Sequence, residues 1–192
     1  MSDVFDVLMS RRSVKFVQAP GPTEDQLELI LSAALRAPDH GAIKPWRFVL
    51  VRGADVPALV DVGVRAGIAA DKPLQQPKVD NARKWLSKVP LVIALGCRPD
   101  PSGRIREQES LLAVGAAVMN MLNAAHALGF GAFWSTGMGT YLDGVGEALG
   151  FDALNERFMG YLAIGTPIDA PDPVRRPDWR DHVSEWHAPA EA

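Results

Sequence analysis

Apolar positions recur along this chain with different spacings, and each spacing predicts a different kind of element. Val4, Val7 and Leu8 share one face of a short helix running from about Val4 to Arg11. Leu27, Ile30, Leu31, Ala34 and Leu35 form the buried stripe of a second helix. Thr23-Glu24-Asp25-Gln26 opens that helix as a capping box, with Gln26 at the reciprocal position. It must stop near Arg36, because Pro38 disfavours helical backbone in the residue before it. Phe48-Val49-Leu50-Val51 predicts a strand ended by Arg52-Gly53. Helical stretches follow from Val56 to Ala70 and from Val79 to Ser87, broken around Pro73 and Pro77. Leu91 to Cys97 is a continuous apolar run, the pattern of a central strand covered on both faces.

The longest helix spans Glu107 to Leu128, and from Leu111 it is apolar almost all round and rich in Ala and Gly. Asn120, Asn123 and His126 interrupt it, and the apolar stretch is too short for a membrane span. A helix without a solvated face must be wrapped on every side, and in a chain of 192 residues a second copy can supply the wrapping. Strands are expected at Ala132 to Trp134 and at Met159 to Ile164, with a helix from about Val145 to Leu149 between them. After Thr166 the chain carries Pro167, Pro171, Pro173 and Pro177, and cannot form a core element. Trp179 and Trp186 make this tail, about residues 167–192, an arm that docks on a surface. Helices and strands intermix without regular βαβ alternation, which argues for one α+β domain over residues 1–192.

Bulk properties narrow the function classes. A net charge of −3 gives no reason to expect a nucleic acid or an anionic membrane as partner. The start of the chain has acids where a secretory signal has bases, and the lone Cys97 forms no internal disulfide and no multi-thiolate metal site. A reducing cytoplasm is the expected compartment, and Cys97, inside an apolar run, reads as an inert core thiol. No HExxH, Walker A, GxSxG or CxxC pattern occurs. Gly144, Gly146 and Gly150 miss the dinucleotide fingerprint, because the third glycine is one residue late and no long strand precedes them. Glu107 and Glu109 read as first-turn acids of the long helix rather than as a catalytic pair.

Three segments are dense in groups that grip anions and cover flat rings. Arg11-Arg12-Ser13 closes the first helix, where generic capping alone would account for it. Arg36 to Phe48 places Arg36, His40, Lys44 and Trp46 in one connection. Gly129 to Gly137 leaves the long helix, makes a strand and ends in Trp134-Ser135-Thr136-Gly137, at a strand end where ligands tend to be met. Together these segments resemble the FMN-dependent nitroreductase family, and in particular its small NAD(P)H nitroreductases with an Arg-Ala-Pro-Asp-His segment.

The resemblance implies a nitroreductase-like fold, with a central mixed, mainly antiparallel sheet flanked by helices and a C-terminal arm reaching the partner subunit. It implies a homodimer with one FMN per subunit at the interface. NAD(P)H would pass hydride to flavin N5 and leave, and a nitroaromatic or quinone would then take the electrons in a ping-pong reaction. The implied FMN contacts are Arg11, Arg12, Ser13, Arg36, His40, Lys44, Trp134, Ser135, Thr136 and Gly137. The turn Ala124, Ala125, His126, Ala127, Leu128, Gly129 would border the nicotinamide. No side chain is expected to act as acid or base, since the flavin is the reacting group, and no metal is implied. The chain departs from the family at Ala42 and Lys44, where Asn and Gln are common, and at Ser135, where close relatives have Arg. Lys44 could place positive charge near the flavin pyrimidine edge. A flavin reductase, a flavin-fragmenting oxygenase and a flavin-binding module without turnover are the alternatives.

Overall fold

A computed structural model describes residues 4–169 and 175–188. Helix α1 (Val4–Ser10) leads through the short strand β1 (Val17–Gln18) into α2 (Glu24–Ala34). The capping box forms: the Thr23 hydroxyl accepts from the Gln26 N–H, and the Gln26 side chain accepts from the Thr23 N–H at 3.0 Å. Strand β2 (Trp46–Arg52), helices α3 (Ala58–Ala69) and α4 (Gln76–Leu86), and strand β3 (Leu91–Cys97) follow. Pro77 does not break α4, because it sits in the first turn, where its missing N–H costs nothing. Helix α5 (Glu107–Ala127), strand β4 (Gly131–Ser135), α6 (Asp143–Ala148) and β5 (Arg157–Pro167) complete the core.

The sheet runs β2–β3–β5–β4, and the short β1 pairs with the last two residues of β5. Every pairing among the described residues is antiparallel, so the expected mixed sheet is corrected: no parallel neighbour is present in this set. Alternation along the strands makes two cores. Leu91, Ile93, Leu95 and Cys97 of β3, with Leu162 and Ile164 of β5, pack under α2 and α5. Val92, Tyr161 and Ala163 face the other way, toward α3, α4 and α6. The predicted β3 is thus buried on both faces, as its unbroken apolar run requires.

Helix α5 is long and apolar enough to cross a membrane by length and composition, yet its buried residues line the core. Its outer side is not wrapped within one chain: Leu112 is 73% and Met119 45% exposed. The face of α1 is likewise open, with Val4, Phe5, Leu8 and Met9 exposed. The expected arm over residues 167–192 starts inside the sheet, because Thr166 and Pro167 pair with β1. Residues 170–174 and 189–192 lie outside the described residues, and 175–188 are exposed throughout, Trp179 and Trp186 included.

Candidate active site

The expected site residues fall into four places. The first is where α1 meets the end of α5. The Ser10 hydroxyl donates to the Asp6 carbonyl and so accepts from His126 Nε2 at 2.8 Å. Arg11 and Arg12 stand beside that ring. Burial first, then Arg11 and Arg12, lowers the pKa of His126 below its ordinary value. Val14 N–H donates to the Ala132 carbonyl at 2.9 Å, which lays the segment after Ser13 against β4.

A residue that sequence reasoning missed joins this cluster. Arg176, in the proline-rich tail, donates from Nη2 to the Arg11 carbonyl at 2.8 Å. Burial, and secondarily Arg176, lowers the pKa of Arg11. Arg11 Nη1 is buried and has no hydrogen-bond partner among the described residues. A cationic cluster with a dry, unsatisfied guanidinium donor is costly unless an anion accepts from it. Planar forks of this kind suit a phosphate, which can take two N–H donors at once.

The second place is a groove of about 580 Å³ between α1, the end of α2 and α5. Arg36 lines it with Val7, Leu8, Asn123, Ala127 and Leu128. The expected Ala124–Gly129 turn is instead the last helical turn of α5 with its cap: Ala124 also lines this groove, whereas Ala125 is fully buried in the core and His126 is held by Ser10.

The third place is the loop between α2 and β2, together with the start of α5. Asp39 Oδ2 accepts the Lys44 N–H at 2.7 Å. Gly41, Ala42 and Lys44 all have positive φ, between +52° and +73°. For Ala42 and Lys44 that conformation costs of order 1 kcal/mol each, and such strain tends to gather at binding loops. His40 Nδ1 contacts Glu109 Oε2 in the first turn of α5.

Glu109 and His126 are 17 residues apart on one helix, so the His40 loop and the arginine cluster are separated by about 26 Å. Within one chain these two groups of expected flavin contacts do not meet. The fourth place, the corner at the end of β4, uses its polar groups locally. Trp134 Nε1 donates to the Met159 carbonyl at 2.9 Å, and the Ser135 hydroxyl accepts from the Gly137 N–H at 3.2 Å. Thr136 and Gly137 are exposed. Below the sheet end, buried Glu156 accepts from Arg47 Nε at 3.3 Å, Arg98 Nε at 3.0 Å and the Asp152 N–H at 3.0 Å, fixing the β2, β3 and β5 termini together.

A three-layer α+β fold with an arginine cluster where α1 meets the end of α5 defines the class, and the sequence pattern of the nitroreductase family matches residues 8–166. The chain belongs to the nitroreductase family. The Escherichia coli K12 protein YdjA, named as an NAD(P)H nitroreductase, is 34% identical over 182 residues, covering 90% of this chain and 96% of that one. A nitroreductase-like protein of Bacillus cereus superposes with a TM-score of 0.81 at 24% identity, covering 98% of each chain. A Desulfovibrio desulfuricans relative, solved in complex with FMN, gives 0.75 at 25% identity, covering 98% of this chain and 99% of that one.

Proposed function

We propose that this chain is an FMN-dependent NAD(P)H oxidoreductase of the nitroreductase type, acting as a homodimer in the cytoplasm. The observation that carries the reading is the arginine cluster whose buried Arg11 Nη1 has no acceptor among the described residues, in a member of this family. Arg11, Arg12 and Arg176 would hold the FMN phosphate, with Ser13 beside the ribityl chain.

Two copies are needed because the His40 loop and the arginine cluster stand at opposite ends of α5. Pairing of two copies across α5 and α1 would cover the exposed Leu8, Met9, Leu112 and Met119. It would also bring the His40–Lys44 loop of one copy to the Arg11–Ser13 and Trp134–Gly137 segments of the other. Residues 1–192 then form one domain, with the exposed stretch 177–188 reaching the second copy. Bound FMN supplies the two-electron chemistry, and the protein supplies orientation and positive charge. NAD(P)H approaches at the Ala124–Gly129 turn and departs before a nitroaromatic or quinone enters.

The test is the visible spectrum of the purified protein, recorded anaerobically before and after NADPH and NADH. A flavin band that bleaches with a donor and returns with a nitroaromatic or quinone is the expected result. A chain that holds no flavin and takes none up refutes the reading.

A further inference from the structure

The two acids in the first turn of α5 have different fates. Glu107 is engaged by Arg157, whose Nε donates to Oε1 at 2.8 Å. Glu109 reaches instead to the His40 loop, 69 residues away in sequence, and its Oε2 meets His40 Nδ1. The start of a helix favours an anion, and an ionised carboxylate can only accept hydrogen bonds. Neutral His40 therefore carries its proton on Nδ1 and keeps a lone pair on Nε2.

The loop backbone around this ring is fixed independently. Asp39 caps the Lys44 N–H, and a Cβ on Gly41 would stand 3.1 Å from the Ile105 side chain. The His40 side chain is 66% exposed even though its Nδ1 is engaged, so Nε2 is the nitrogen available to a ligand.

We propose that Glu109 is a positioning residue for cofactor binding: by accepting the His40 Nδ1–H it holds the imidazole in one orientation and tautomer, with Nε2 offered as an acceptor to a ring N–H or a hydroxyl of FMN. This rests on the reading that His40 touches FMN. Sequence alone hides the pair, because a first-turn Glu is common on any helix.

Two measurements test it. Two-bond ¹H–¹⁵N spectra of histidine-labelled protein, with His40 assigned by its loss in His40→Ala, show the Nδ1–H tautomer in the native chain. Glu109→Ala shifts His40 toward the Nε2–H form that free histidine prefers. Glu109→Gln, whose amide oxygen still accepts, restores Nδ1–H. In titrations of flavin-stripped protein, Glu109→Ala weakens FMN binding about five- to tenfold, the loss of roughly one hydrogen bond. Glu109→Gln binds within about twofold of the native chain, and Glu109→Ala adds nothing in a His40→Ala background.

An unchanged His40 tautomer in Glu109→Ala overturns the proposal. So does an equal loss of affinity from Glu109→Ala whether or not His40 is present. Failure of the native chain to take up FMN would instead defeat the functional reading, while the spectra still decide whether Glu109 sets the ring.

Discussion

Gly160 couples the sheet to the corner that follows β4. Its φ is +104°, and a Cβ placed there would lie 2.3 Å from the Ser135 carbonyl oxygen and 3.2 Å from the carbonyl carbon. Ordinary carbon–oxygen approach is about 3.3 Å or more, so Gly160→Ala is short by roughly 1 Å. Both atoms belong to backbone, and neither can rotate aside. Strand β4 or β5 must move, at about 1–3 kcal/mol for the forced packing, and the positive φ adds about 1–2 kcal/mol for a residue with a Cβ. In a domain of this size each kcal/mol lowers the melting temperature by about 2–4 °C, which gives a fall on the order of 10 °C.

Gly150→Ala separates the two contributions. Gly150 also has positive φ, +84°, but a Cβ there would meet nothing within 4 Å. That variant should lose only the conformational part, a few degrees. Calorimetric melts of the two variants beside the native chain give the comparison. Because Ser135 leads into Thr136 and Gly137, Gly160→Ala should also weaken FMN uptake, and Gly150→Ala should not. Equal melting temperatures for the two variants would refute the claim that contact with Ser135 dominates at Gly160.

Other consequences are open to direct measurement. Arg176→Ala should weaken FMN about tenfold or more by removing a charge-assisted partner of the phosphate, and should leave riboflavin binding nearly unchanged; parallel titrations with both ligands distinguish phosphate from ring contacts. Burial, reinforced by Glu107 and partly offset by Arg157, pushes the Cys97 thiol up to about 11. Only about one molecule in a thousand is then thiolate at pH 8, so a thiol reagent should label the denatured chain and spare the native one. His126 has a lowered pKa, so its neutral form contributes stability above its ordinary value of 6.5, and that contribution shrinks as pH falls through 6.5 toward the lower folded value. Denaturant melts at pH 7.5 and pH 5.5 should show a larger loss for the native chain than for His126→Gln.

What could be read in advance follows the range of the interaction. The capping box at Thr23, the stripe of α2 and the unbroken run of β3 are local signals, and each formed where the residues indicated. Leu35 of that stripe is exposed, because α2 ends at Ala34 and the last position turns outward. Strand β1 carries no local pattern: it is two residues long, and its partners Thr166 and Pro167 lie some 150 positions away. Arg176 hides for the same reason, sitting in a proline-rich stretch whose target is a backbone carbonyl 165 residues earlier.

The cations themselves were legible by residue type, since Arg, His and Lys rarely crowd a purely structural connection. Their grouping was not, because it depends on the length of α5. A 21-residue helix spans about 30 Å, with His40 anchored at its start and Arg11 beside its end. The helix that completes the hydrophobic core therefore also keeps the two halves of the site apart within one chain. Its apolar outer side and the divided site call for the same remedy, a second copy laid across α5. Substitutions there, such as Leu112→Glu or Met119→Glu, should accordingly lower FMN affinity and dimerisation together, although neither residue belongs to the cofactor-contact segments.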